Sequence, residues 1–154
     1  MSMDEKNPSL ESRVRGLLLG LALGDAVGTK ASEVPATGVL KAGAATQLAA
    51  WSVEASLRTI SRCGHLEPSA DLIARHAYQR WAMLRGTKPE PGVYWKPFQV
   101  VEGKPGHEEW RGWLVDVPGM RKVRGSSPST QKALQTGKAV RSGGCQAFLR
   151  VLPI

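Results

Sequence analysis

Side chains with nucleophilic, acid–base or metal-binding chemistry are sparse in this sequence. The three histidines, His65, His76 and His107, lie far apart. Cys63-Gly64-His65 offers two adjacent ligands, which is too few for zinc because a structural zinc site takes four nitrogen or sulfur ligands. No serine or cysteine stands where a histidine and an acid would activate it. We expect His76, on the apolar face of a predicted helix, to be a hydrogen-bonded core residue.

Positive charge combined with tryptophan indicates a second kind of chemistry, the binding of anions. The 154 residues carry 21 Lys and Arg against 13 Asp and Glu, a net charge of +8. Such an excess favours association with nucleic acid, anionic lipid or phosphorylated small molecules. Aromatic rings among basic side chains suit single-stranded nucleic acid; the candidates are Trp95, Trp110 and Trp113 with Lys96, Lys104, Arg111, Arg121, Lys122 and Arg124. We favour the alternative, that these tryptophans anchor an irregular loop, because Trp is usually well buried.

The N-terminal apolar run and the number of cysteines indicate in which cellular compartment the protein is expected. Arg13 and Arg15 precede an apolar run at 17–23, as in a signal peptide, but glycine interrupts the run and Asp25 follows it. The run is also shorter than the roughly 20 residues that span a membrane. Two cysteines are too few for a disulfide framework. We therefore expect a soluble, cytoplasmic protein with no membrane association.

Three helices are predicted in the first part of the chain. The first has Asn7 as N-cap and Pro8 at its first position. Within it a glycine recurs every four residues, at Gly16, Gly20, Gly24 and Gly28, which predicts that another backbone packs closely on that face. The second begins near Thr46, frays over residues 61–64 and has one face formed by Leu48, Trp51, Ser52 and Ala55. The third runs from Pro68 and Ser69 to Gly86.

The second part of the chain is less regular. Proline and glycine break residues 87–124 into a long loop or small insertion, with short strands predicted at 95–101 and 112–117. A helix then starts with Ser127 as N-cap and Pro128 at its first position and ends at Thr136. The last residues form a glycine-rich turn and an apolar run, which suggests that further sequence once followed Ile154.

Several ordered stretches together resemble the ADP-ribosylglycohydrolase family, whose enzymes remove ADP-ribose from arginine or serine side chains. They are the glycine-rich opening from Arg13 through Gly24-Asp25-Ala26 to Gly28, the helix ending Tyr78-Gln79-Arg80-Trp81, the Gly125-Ser126-Ser127-Pro128 turn, and the block from Ser142-Gly143-Gly144-Cys145 to Ile154. The resemblance implies an all-α helical domain. We expect residues 1–154 to form a single, incomplete domain of this type, equivalent to about the first half of the family's domain.

In the family, the resemblance implies, two Mg²⁺ ions position a water that cleaves the glycosidic bond of ADP-ribose. One ligand set comes from a Thr-Asp-Asp motif that falls here on Gly43, Ala44 and Ala45, none of which has a side-chain oxygen. A methyl group cannot coordinate Mg²⁺, which takes oxygen ligands. Only the trailing Thr46 survives, and we interpret it as a helix N-cap. A second, C-terminal ligand set would lie beyond Ile154. We therefore expect no metal cofactor in this chain and little or no activity.

The residues on the substrate side match the family unevenly. Glu33 lies one residue from the family's water-positioning glutamate, although a solvated loop carboxylate is the more common situation. The turn formed by Ser142, Gly143, Gly144 and Cys145 is the candidate substrate-binding segment, since glycine-rich turns form anion-binding concavities. The implied partner is ADP-ribose or an ADP-ribosylated protein. Two alternatives remain: a basic, Trp-containing module for nucleic acid or ADP-ribose-like anions, and a non-functional fragment with exposed apolar surface that a partner chain would cover.

Overall fold

The structure, a computed structural model, describes residues 8–28, 41–65, 70–95 and 112–142. These ranges contain five α-helices, in chain order: α1, Leu10–Gly28; α2, Ala44–Cys63; α3, Ala70–Leu84; α4, Pro118–Arg121; and α5, Pro128–Thr136. A 3₁₀-helix, Trp113–Asp116, precedes α4. None of the described ranges contains a strand. The expected all-α class is therefore confirmed, and the strand predicted at 112–117 is wrong.

The core forms where α2 packs against α3. The predicted apolar face of α2 is confirmed, because Leu48, Trp51, Ser52 and Ala55 are all buried. Other parts of the chain complete this core, which consists of Ala44, Leu48, Trp51, Ala55, Ala77, Trp81, Ala82, Trp95, Leu114 and Val115. The irregular segment thus contributes side chains to the same core as the long helices.

Helix boundaries differ from the predicted ones by a few residues. Helix α1 begins at Leu10, two residues after the predicted first position Pro8, and Ser9 Oγ accepts a hydrogen bond from the Ser12 N–H at 3.2 Å. The predicted N-cap, Asn7, lies outside the described residues. The end of α2 does not fray: it continues to Cys63, and Gly64 closes it in the left-handed conformation with its N–H on the Ile60 carbonyl at 2.7 Å. The predicted boundaries of α5 are confirmed, with Ser127 as N-cap and left-handed Gly137 after Thr136.

Helix α1 is the least buried of the long helices. Ala26 is its one buried residue, while the side chains of Leu10 and Leu19 are exposed. No described atom lies within 4 Å of a Cβ built on Gly16, Gly20, Gly24 or Gly28. Within the described ranges no other backbone packs on the glycine face, and the predicted close packing stays a prediction. No helix in these ranges combines the length and hydropathy that crossing a membrane requires.

Candidate functional site

Helix α2 begins at the three residues that the resemblance places on the family's metal motif. Gly43 is the N-cap, with extended backbone angles (φ −98°, ψ −157°), and is buried. Ala44 is 3% exposed and Ala45 is half-buried. The side chains at these positions are a hydrogen atom and two methyl groups, none of which can be a ligand for magnesium, which binds oxygen atoms.

A carboxylate from α1 occupies this end of α2. The Oδ2 atom of Asp25 accepts hydrogen bonds from the Gly43 N–H at 2.7 Å, the Thr46 N–H at 3.0 Å and the Thr46 hydroxyl at 2.7 Å. The first amides of a helix lack partners within the helix, and its N-terminal end favours negative charge. Asp25 therefore supplies, from α1, the hydrogen-bond acceptor that the amides at the start of α2 lack within their own helix.

This geometry corrects the interpretation of Thr46. It is the third residue of α2 and not its N-cap, because the helix begins two residues earlier at Ala44. No local pattern in the sequence indicates the hydrogen bonds between Thr46 and Asp25, which lies 21 residues away along the chain. The only available signal was that Asp25 belongs to the Gly-Asp-Ala stretch.

A glycine of the segment before α5 covers the other side of the α2 N-terminus. Gly125 has φ +62°, and a Cβ built on it would lie 3.2 Å from the Ala44 amide nitrogen. Its carbonyl accepts a hydrogen bond from Arg85 Nη2 at 2.6 Å. The Arg85 guanidinium also stacks over the Trp81 ring at 4.8 Å, and burial lowers its pKa. Arg85 thus fixes the turn at Gly125 against α2.

Gln47 is a second polar anchor for that segment, and sequence reasoning missed it. Its amide Nε2 donates to the carbonyls of Gly119 and Lys122, both at 2.8 Å. Its Oε1 accepts from Trp81 Nε1 and Arg85 Nη1, both at 3.1 Å. Four hydrogen bonds satisfy this buried amide, as burial of a polar side chain requires. Only the tertiary fold brings these partners together.

A buried ion cluster lies farther along α2. Glu54 is fully buried and accepts from Arg58 Nε at 2.7 Å and Arg80 Nη2 at 2.8 Å. Burial lowers the pKa of Arg80, and the Glu54 carboxylate opposes that shift. A Cβ on Gly112 would overlap Glu54 Oε1, so the backbone passes directly against the carboxylate. Because both carboxylate oxygens are bound by guanidinium groups, the cluster holds the fold together and is poorly suited to a cation.

The donor set at the α2 N-terminus does not fit the two magnesium ions that the resemblance implies. Among the described residues, the side chains that share hydrogen bonds there are Asp25 and Thr46, and three donors share one Asp25 oxygen. In the described ranges, no three His, Cys, Asp or Glu side chains gather into a group able to hold a metal ion. Mg²⁺ bound in proteins takes carboxylate ligands in near-octahedral geometry, and the one carboxylate found among the described residues at this end of α2 already accepts hydrogen bonds from Gly43 and Thr46.

The other predicted site residues fall mostly outside the described part of the chain. Glu33, Gly143, Gly144 and Cys145 all lie there. Ser142 is the last described residue and is exposed. Their proposed roles in water positioning and substrate binding stay predictions.

The predicted anchoring role of the tryptophans is confirmed for one of them. Trp95 is buried and its Nε1 donates to the Leu134 carbonyl at 2.9 Å, which joins the start of the insertion to α5. Trp113 is 59% exposed and does not act as an anchor. Trp110 lies outside the described residues. His76 lies on α3 and is half-buried, so it stands at the edge of the core and not, as predicted, within it.

Comparison with known proteins gives one match. A family model described as ADP-ribosylglycohydrolase matches residues 6–154, which includes all five helices. No curated protein and no solved structure shows significant similarity to the chain. The family match agrees with the resemblance carried by the glycine-rich opening, the turn before α5 and the block after residue 141.

Proposed function

Because the chain belongs to the ADP-ribosylglycohydrolase family, we propose that it is a member that does not hydrolyse ADP-ribose linkages by the family's metal-dependent reaction. The α2 N-terminus carries this proposal. The resemblance places Gly43, Ala44 and Ala45 at the ligand positions, and the Asp25 carboxylate beside Gly43 accepts three hydrogen bonds from Gly43 and Thr46.

The chemistry of the reaction explains why this substitution matters. A bound metal polarises the substrate and lowers the pKa of a coordinated water, which supplies a nucleophile at neutral pH. A hydrogen and two methyl groups supply no ligand for such an ion. The surrounding polar residues of this chain, including Gln47 and Arg85, instead hold the 119–125 segment in place.

The ligand class that the family suggests is ADP-ribose or an ADP-ribosylated protein. Retained binding without hydrolysis is supported by the net charge of +8, which favours encounter with a diphosphate. The candidate contact segment is Ser142-Gly143-Gly144-Cys145, whose backbone N–H groups suit a phosphate. Glu33 has no expected catalytic role without a metal-bound water to position.

The decisive experiment incubates the full chain with a mono-ADP-ribosylated protein and Mg²⁺ or Mn²⁺ and measures released ADP-ribose. We expect release no faster than in a sample without the chain. Circular dichroism of the same preparation establishes that the helices are folded. Metal-dependent turnover would refute the proposal. Calorimetric titration with ADP-ribose tests binding separately, and the absence of saturable heat would remove the retained-binding part.

Nucleic-acid binding remains the second candidate, and the exposed ring of Trp113 favours it. An exposed aromatic ring on a basic protein can stack on the bases of a single strand. We expect such binding to weaken steeply with salt. Titration of a labelled single-stranded oligonucleotide at low and high salt, with Trp113→Ala as the matched variant, measures it. Failure to bind at low salt would remove this candidate.

A further inference from the structure

The segment between α4 and α5 is fixed through its backbone, which leaves two of its basic residues at the surface. Gln47 Nε2 donates a hydrogen bond to the Lys122 carbonyl at 2.8 Å. Arg85 donates to the carbonyls of Arg124 at 3.4 Å and Gly125 at 2.6 Å. Lys122 is exposed and Arg124 is half-buried. Both residues are therefore held in place by core side chains that bind their backbone and not their charged groups.

A third basic residue lies beside these two. A Cβ built on Gly125 would lie 3.8 Å from Gly43 Cα, and the exposed Lys41 comes two residues before Gly43. Lys122 and Arg124 precede Gly125 by three residues and one residue. We call Lys41, Lys122 and Arg124 the basic patch. Its members come from distant parts of the chain and lie around one contact.

The charges of the basic patch are not neutralised within the described part of the chain. No described Asp or Glu pairs with Lys41, Lys122 or Arg124. Arg85, which binds the backbone of the patch, has carbonyl and amide oxygens as acceptors, and burial lowers its pKa. Positive groups gathered in this way repel one another, so an anion bound among them is stabilised.

Exposure distinguishes between the anions that could fit the basic patch. Small-molecule sites are usually concave, whereas Lys41 and Lys122 are exposed. A nucleic-acid strand carries a phosphate at every nucleotide and can contact several exposed cations at once. Trp113, also exposed, lies in the 3₁₀-helix that contacts α4, and its ring can stack on an unpaired base. These features favour a single strand over a small diphosphate or an acidic peptide.

We propose that the basic patch binds the phosphates of single-stranded nucleic acid, with Gln47 as a positioning residue that holds Lys122 in place. Trp113 supplies stacking on the bases, and the basic patch supplies the charge. This role rests on the second candidate function and adds to it the surface that contacts the phosphates.

Fluorescence anisotropy of a labelled single-stranded oligonucleotide, titrated with the full chain at several salt concentrations, tests the surface. Lys122→Gln/Arg124→Gln removes two positive charges, which lowers the net charge from +8 to +6. We expect Kd at low salt to rise at least about tenfold. The slope of log affinity against log salt should fall by about 1.4, since each phosphate contact on a single strand contributes about 0.7.

Arg13→Gln/Arg15→Gln is the matched control, because it makes the same change of net charge on α1. Arg15 lies ten residues before Asp25, which contacts the start of α2, and is therefore about 15 Å from it along the helix. We expect the Kd of this variant to stay within about twofold of the unaltered chain. Equal effects of the two double variants would show that net charge alone governs binding and would overturn the proposal.

Gln47→Leu tests the positioning role, since it removes the donors to the segment without changing a charge. We expect Kd to rise while circular dichroism shows the helices retained. Gln79→Leu is its control, because Gln79 is also buried and makes one long hydrogen bond, of 3.4 Å, to the Tyr94 carbonyl; its Kd should not change. An unchanged Kd for folded Gln47→Leu would overturn the positioning role. If Gln47→Leu does not fold, the two charge variants still decide whether the basic patch binds phosphate.

Competition identifies the source of the phosphate. ADP-ribose or polyglutamate, added at the same concentration of negative charge, should displace less labelled strand than an unlabelled oligonucleotide does. Equal displacement by either would overturn the assignment to nucleic acid. No binding by the unaltered chain at low salt would remove the second candidate function together with this role. Binding that Trp113→Ala weakens and Lys122→Gln/Arg124→Gln leaves unchanged would overturn this role alone.

Discussion

Helices α1 and α2 have nearly the same length but opposite relations to the core. In α2, nine residues are buried, among them the polar side chains of Gln47, Glu54 and Thr59. In α1, rich in leucine, Ala26 alone is buried and Leu19 is 70% exposed. Hydrophobicity therefore did not decide which helix became central. A helix with one apolar face can pack against a partner, whereas one that is apolar on all sides needs neighbours all round.

The comparison also shows how polar groups are retained in a small core. Glu54 is buried with two arginines, and Gln47 has four hydrogen-bond partners. The ion pair in α1, between Glu11 and Arg15, is exposed at both ends. Exposed pairs of this kind contribute little to stability, and removing one partner of a buried pair leaves an uncompensated charge.

Removing the buried carboxylate should have the largest effect. We expect Glu54→Ala to lower the free energy of unfolding by about 3–5 kcal/mol, because Arg58 and Arg80 would lose their shared counter-ion. Urea unfolding followed by circular dichroism measures the change. Glu11→Ala is the control and should stay within about 0.5 kcal/mol. Similar losses of unfolding free energy in the two variants would show that the buried Glu54 cluster contributes no more to stability than the exposed pair in α1.

Replacing one leucine by alanine in each helix should give a difference in stability between the two variants that is nearly as large. Leu48 is fully buried in α2, so Leu48→Ala removes core contacts and is expected to cost about 2–5 kcal/mol in the same urea assay. Leu19→Ala removes an exposed side chain from α1 and should change stability by no more than about 0.5 kcal/mol. A large loss from Leu19→Ala would contradict the exposure of α1 and indicate that another surface covers it.

The smallest expected effects come from glycine, and they differ in sign. Gly64 ends α2 in the left-handed conformation, φ +77°, so Gly64→Ala should destabilise the protein by about 1 kcal/mol. Gly16 lies inside α1 with no described atom near its Cβ position, so Gly16→Ala should stabilise by up to about 1 kcal/mol. Thermal unfolding measures both. Destabilisation by Gly16→Ala would mean that the glycine face does pack closely against something.

Local signals in the sequence predicted where the helices form better than they predicted which distant residues contact each helix. The spacing of Leu48, Trp51, Ser52 and Ala55 predicted the buried face of α2, and Ser127-Pro128 marked the start of α5. The predicted start of α2 near Thr46 lies two residues late, because the N-cap is Gly43 and the acceptor for the first amides is Asp25, a residue of another helix that no local pattern indicates. The strand predicted at 112–117 failed because Leu114 and Val115 enter the core from a 3₁₀ turn.

Composition and motif order by themselves determined the helical class, the family, and the absence of oxygen ligands at Gly43, Ala44 and Ala45. All three features depend on residue identity and short-range spacing, which are the same in the folded and the unfolded chain. Only the tertiary structure decided what stands in their place. Asp25 and Gly125 approach α2 from distant parts of the chain, and hydrogen bonds and steric exclusion depend on that proximity in space. The sequence thus specifies which side chains stand at the start of α2, and the fold determines that Asp25 and Gly125 contact them.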